Sequence, residues 1–140
     1  MKELWSEYGD DVQFFVVYIR EAHPLDGTSP LGGGGMPIVE DPITLEERNG
    51  VAEVCMTRLA LEPMAALVDG VDDAVGRAYA AHPDRLYLVG RDGRIVYQGG
   101  PGPGGFKPEE LAAAIRAERV RSAGSDGRPP APDRQGHSPH

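Results

Sequence analysis

The sequence predicts an α/β domain of three layers, with helices on both faces of a mixed sheet. Three observations predict it. Short runs rich in β-branched and aromatic residues alternate with helix-period segments, which is the pattern of βα units. An Asp-Gly turn joins two late apolar runs, which requires an antiparallel pair beside the parallel ones. The 140 residues, 40% hydrophobic and 26% charged, suit one core, because a chain of this size buries roughly 70% of its unfolded surface.

The elements follow in order. Lys2 to Asp10 reads as the last turns of a helix, with Leu4, Trp5 and Tyr8 on one side and Gly9 as a stop. Phe14 to Ile19 is apolar without alternation, as in a central parallel strand covered on both faces. Leu25 to Pro42, with four consecutive glycines from Gly32, reads as a long surface loop. Thr44 with Glu47 forms a capping box and opens a helix whose stripe of Ala52, Cys55, Met56 and Leu59 faces the sheet.

Ala65 to Val68 reads as a short buried strand, and Asp72-Asp73 as the cap of a short helix carrying Val75, Ala78 and Tyr79. Leu86 to Val89 and Ile95 to Tyr97 flank Arg91-Asp92-Gly93-Arg94, a hairpin. Pro108 suits the first position of a final helix with Leu111, Ala114 and Ile115 inward. The domain spans 1–120; from Arg121 onward polar residues, Gly and Pro predict a disordered tail over 121–140.

A net charge of −8 opposes phosphate backbones and anionic lipids, so neither nucleic acid nor a membrane is an expected partner. The longest strongly apolar run is too short to span a bilayer. A soluble, cytoplasmic protein in a reducing compartment is expected, since Cys55 is the only cysteine and no Cys/His cluster has zinc spacing. Gly100, Gly102 and Gly105 fit a dinucleotide fingerprint by letter only, because Pro101 and Pro103 remove backbone donors. No cofactor and no metal are expected.

Phe15-Val16-Val17-Tyr18-Ile19-Arg20-Glu21-Ala22-His23-Pro24, followed by Asp26-Gly27, resembles the strand and Glu-Ala-His motif of the iodothyronine deiodinase family. Arg85 to Val89, then Gly99 to Phe106 and Pro108-Glu109-Glu110-Leu111, is similar to that family's C-terminal half, so the resemblance covers about residues 1 to 117. It implies a thioredoxin-like fold, of the peroxiredoxin arrangement, lacking the first βα unit. The family's nucleophilic cysteine or selenocysteine belongs to that unit, so the resemblance places it outside these residues and implies an inactive chain by itself.

By the same resemblance Glu21 and His23 are the catalytic residues beside the nucleophile. A thiol of ordinary pKa is a few per cent thiolate at neutral pH, so such a site lowers the pKa or uses a selenol. His23 could relay the proton while Glu21 fixes its tautomer. Without the motif, each reads as a solvated strand-end residue. The implied activity is an oxidoreductase performing reductive dehalogenation on a small molecule, with a thiol reductant and, as in relatives, a possible homodimer. A peroxiredoxin-like or thiol-disulfide enzyme and a non-catalytic interaction module are the alternatives.

Three positions depart from the animal pattern: Pro42 stands for a second histidine, Met64 for a cysteine, and Thr28 for the tryptophan after Asp-Gly. Cys55 reads as packing rather than as a resolving thiol, and Tyr18, Tyr87 and Tyr97 as sheet residues. His82-Pro83 occupies a place where many such folds hold a cis-proline, although an ordinary trans loop is the expectation.

Overall fold

The structure is a computed structural model that describes residues 1–21 and 42–125. Its elements run α1 (Lys2–Tyr8), β1 (Phe15–Tyr18), α2 (Leu45–Arg58), β2 (Ala65–Val68), α3 (Ala74–Ala78), β3 (Tyr87–Val89), β4 (Ile95–Gln98) and α4 (Pro108–Ser125). This mixed α/β order is the predicted one and is compatible with a thioredoxin-like fold.

β1 and β2 pair in parallel, Phe15 opposite Ala65 and Tyr18 opposite Val68. β3 and β4 pair antiparallel, Tyr87 opposite Gln98, with an irregularity between Leu88 and Val89. Among the described residues these are two separate two-stranded sheets, and no ladder joins β1 to β3.

One core nevertheless serves both sheets. Leu4 and Tyr8 of α1, Phe14, Met64, Leu86, Leu88, and Leu111, Ala112 and Ile115 of α4 form one buried cluster. Strand alternation explains which part of β1 joins it: Val16 packs against the cluster from the face shared with Phe14. Phe15 and Val17 point to the other face and remain 55% and 42% exposed. The expectation of a strand covered on both faces is therefore corrected. β2 is corrected in the same way, since Ala65, Ala66 and Leu67 are all exposed.

The capping box forms as read. Glu47 N donates to Thr44 Oγ1 at 3.1 Å, and Thr44 N donates to Glu47 Oε2 at 3.2 Å. Replacing Thr44 by alanine should cost about 1 kcal/mol, seen as a fall of a few degrees in Tm by differential scanning calorimetry. Arg58 closes the last turn of α2, where a cation suits the helix dipole.

The β3–β4 turn also behaves as read. Gly93 sits at φ +78° between Gly90 N→Arg94 O and Gly93 N→Gly90 O bonds of 2.8 and 2.9 Å. The segment from Gly99 to Gly105 folds back on itself so closely that a Cβ at Gly105 would overlap the Gly100 carbonyl carbon. Gly105→Ala should therefore destabilise by about 1–3 kcal/mol, measurable as a lower urea midpoint with unchanged slope.

Three further expectations change. The His82-Pro83 peptide is cis where a trans loop was expected, and the Gly102-Pro103 peptide, for which no isomer was expected, is cis too. The small trans preference of X-Pro bonds leaves both isomers open to tertiary context. α4 continues to Ser125, beyond the predicted tail boundary at 120. Arg121 holds that last turn in place by pairing with Glu118 at 2.7 Å and with Asp92 at 3.8 Å.

The third change concerns the cap of α3. Asp73 is its N-cap residue but makes no side-chain cap bond. The buried Asp69 caps it instead, accepting from Val75 N at 3.1 Å and Gly76 N at 2.7 Å. Asp72 contributes a weaker bond to Ala74 N at 3.3 Å.

Candidate functional site

Parallel strands present their carboxyl ends at one rim, where open α/β sheets gather chemistry. Here the rim is the end of β1 beside the end of β2, tied together by Asp69 N→Tyr18 O at 2.8 Å. Glu21 lies three residues past Tyr18 and is half-buried. The Tyr18 hydroxyl donates to Glu21 Oε1. One of the two residues expected at the site is thus placed at the rim and given a partner. His23 lies outside the described residues.

Burial pushes the Tyr18 phenol well above its usual range, and the hydrogen bond to Glu21 and that group's charge push it the same way. Tyr18 is therefore a neutral hydroxyl at every physiological pH and a constant donor to the carboxylate. It was read as a sheet residue, and its polar end was missed. The signal was available: Tyr18 and Glu21 are three apart at the point where the strand ends, close enough for a long aromatic side chain to reach the carboxylate.

Cys55 of α2 is half-buried and belongs electrostatically to the same group. Burial raises its pKa, the Glu21 charge raises it further, and Arg58 partly opposes them. A thiol so placed is protonated at neutral pH and a poor nucleophile, in keeping with its reading as a packing residue.

Behind the rim lies a buried ionic anchor that sequence reasoning did not find. Arg48 is only 2% exposed. Its Nη1 donates to Gly70 O at 2.6 Å and to Asp73 Oδ1 at 2.9 Å, with a longer contact to Asp69 O at 3.4 Å. The guanidinium thus ties α2 to the loop that leaves β2. Burial pushes the Asp69 carboxyl up, but the amides of Gly76, Val75 and Gly70 and the Arg48 charge outweigh it and hold the pKa below the usual value.

The linkage has a definite sign. A depressed folded-state pKa adds stability that is fully present above the unfolded value of about 4 and is lost as pH falls below it. Asp69→Asn should therefore flatten the acid limb of the stability curve below about pH 4, measured by urea melts at stepped pH.

Among the described residues no group of three His, Cys, Asp or Glu could hold a metal ion, and no helix is long and apolar enough to cross a membrane.

Comparison with known proteins places this geometry in context. The family model described as iodothyronine deiodinase matches residues 1–119. Thyroxine 5-deiodinase of Sparus aurata is 39% identical over 106 residues, 76% of this chain and 38% of that protein. The human enzyme of the same name is 37% identical over 115 residues, covering 79% of this chain and 34% of that protein. The Gallus gallus enzyme is 34% identical over 120 residues, 86% of this chain and 45% of that protein. The chain thus spans between about a third and under a half of the length of these relatives.

Proposed function

Since this chain belongs to the iodothyronine deiodinase family, we infer that it is the proton-handling part of an oxidoreductase that removes halogen reductively from an aromatic substrate. The observation that carries this reading is the Tyr18 hydroxyl bonded to Glu21 at the carboxyl rim of β1, inside the region that matches the family. The nucleophile is a cysteine or selenocysteine outside residues 1–140.

The chemistry balances with these groups. The thiolate or selenolate takes the iodine from the ring carbon, which keeps the bonding electron pair. That carbon then accepts a proton, giving ring C–H and a sulfenyl or selenenyl iodide. Two external thiols reduce the enzyme group, releasing iodide and a disulfide. His23 delivers the proton, Glu21 orients the imidazole, and Tyr18 is a positioning residue that holds Glu21 in one orientation. Pro42 and Met64 replace a histidine and a cysteine of the animal pattern, so the reading extends to aryl iodides as a class, with thyroxine as the first substrate to try.

The test restores the nucleophile-bearing segment, supplies dithiothreitol, and measures iodide release from thyroxine against peroxide consumption. Iodide release that disappears in His23→Ala supports the reading. Peroxide turnover without iodide release replaces it with a peroxiredoxin-like activity, and neither turnover makes the chain a binding module.

A further inference from the structure

Arg48 is placed for more than packing. Its side chain is 2% exposed, yet its Nε is buried with no hydrogen-bond partner. An idle donor on a buried charge is a cost that packing alone would avoid, since a buried ion pair as a whole is often matched in stability by apolar residues of similar volume.

What the guanidinium holds is the loop 69–73 between β2 and α3, gripped at both ends. Nη1 donates to Gly70 O at 2.6 Å at one end and to Asp73 Oδ1 at 2.9 Å at the other. Asp73 N closes the turn on Gly70 O at 2.9 Å. Asp73 sits at φ +54°, a left-handed conformation that a residue other than glycine keeps only where its surroundings hold it there.

The end of β1 rests on this loop. Asp69 N donates to Tyr18 O at 2.8 Å, while the Asp69 carboxylate holds the first turn of α3 through Val75 N and Gly76 N. α3 in turn lies so close to Ile19 that a Cβ on Gly76 would stand 3.6 Å from Ile19 Cγ2. Tyr18 and Ile19 are thus held by the loop and by the helix it leads into, and Glu21 follows two residues later, bonded to the Tyr18 hydroxyl. The charge reaches the same group: burial, Glu21 and Cys55 push the Tyr18 phenol up, and Arg48 opposes them.

We propose that Arg48 is a positioning residue for the Tyr18–Glu21 pair. It sets loop 69–73, the loop sets the backbone of Tyr18 and Ile19, and that backbone sets where the Glu21 carboxylate stands. Its effect on turnover rests on the functional reading above, whereas its hold on Glu21 does not.

The test introduces Arg48→Lys into the 140-residue chain, because an ammonium keeps the charge but cannot span both ends of the loop. Tyrosine labelled with carbon-13 at Cζ is followed by NMR, with the Tyr18 resonance assigned from Tyr18→Phe and its unbonded position taken from Glu21→Ala. In Arg48→Lys the resonance should move most of the way to that unbonded position, whereas Ile115→Val, which loosens the core at α4, should leave it in place. A cooperatively melting Arg48→Lys chain whose Tyr18 resonance keeps the parental position overturns the proposal, as does an equal displacement in Ile115→Val. Should Arg48→Lys not fold, Asp73→Asn weakens the second grip while keeping an acceptor; the same displacement in smaller measure is expected, and a parental resonance overturns the proposal equally.

In the enzyme restored with its nucleophile, Arg48→Lys should lower kcat for iodide release by about 10- to 100-fold with KM nearly unchanged. Combined with Tyr18→Phe it should cost less than the product of the two separate falls, because both act on one carboxylate. Falls that simply multiply overturn the proposal. A displaced resonance in an enzyme that releases no iodide in any form leaves the hold on Glu21 standing and removes the catalytic reading.

Discussion

Replacing Arg48 by methionine is expected to lower the unfolding free energy by about 3–5 kcal/mol, the cost of breaking a buried ion pair from one side. The guanidinium serves the Gly70 and Asp69 carbonyls and the Asp73 carboxylate together. Methionine fills much the same volume and keeps the α2 packing, but leaves those buried and partly buried oxygens without their donor. Asp69 loses its nearest cation as well, so its carboxyl titrates at higher pH in the variant than in the parent. Chemical denaturation at neutral pH checks the stability, and the same melts in acid check the shift. Arg48→Lys should recover only part of the loss, because an ammonium cannot reach several acceptors in the plane that a guanidinium spans. Arg48→Met with parental stability would show that the anchor is decorative.

The other large effect falls on catalysis. In an enzyme complete with its nucleophile, His23→Ala should lower kcat/KM for iodide release by about 100- to 10,000-fold, the usual range for a general acid. Tyr18→Phe probes a different link. It removes the donor to Glu21 while leaving the half-buried ring in place. A positioning role predicts a smaller fall in kcat and a displaced pH profile, with KM nearly unchanged. A merely structural tyrosine would change stability and leave the profile where it was. Single-turnover rates between pH 5 and 9 separate the two.

Much of the fold was legible because local chemistry decided it. Thr44 and Glu47 specify the start of α2 on their own, and Asp92-Gly93 needs only a positive φ to reverse the chain. The strand Ala65–Val68 was placed to the residue. Burial was read less well, because it depends on what lies across from a strand. Phe15, Val17 and Leu67 are as apolar as core residues, and nothing within the run tells that one face meets no neighbour among the described residues.

The site divides along the same line. Glu21 was visible through its motif and the structure gives it a partner, whereas the motif's histidine falls in the stretch 22–41 that is not described. Tyr18 was seen as an aromatic in a strand, yet its role depends on where the hydroxyl ends up. Arg48 was missed because a lone arginine on a helix ordinarily faces solvent. Its spacing of four from Ala52 and seven from Cys55 puts it on the inward stripe, and a charge on that stripe was the available warning.

The sharing of one core by two unlinked sheets has a mechanical corollary. Among the described residues no backbone ladder joins β1 and β2 to β3 and β4, so force or denaturant acting on one pair reaches the other through the shared cluster that holds Tyr8, Phe14, Leu111 and Ile115. A molecule connected in that way should come apart at a seam, the parallel half loosening while the hairpin and its long helix still hold their shape.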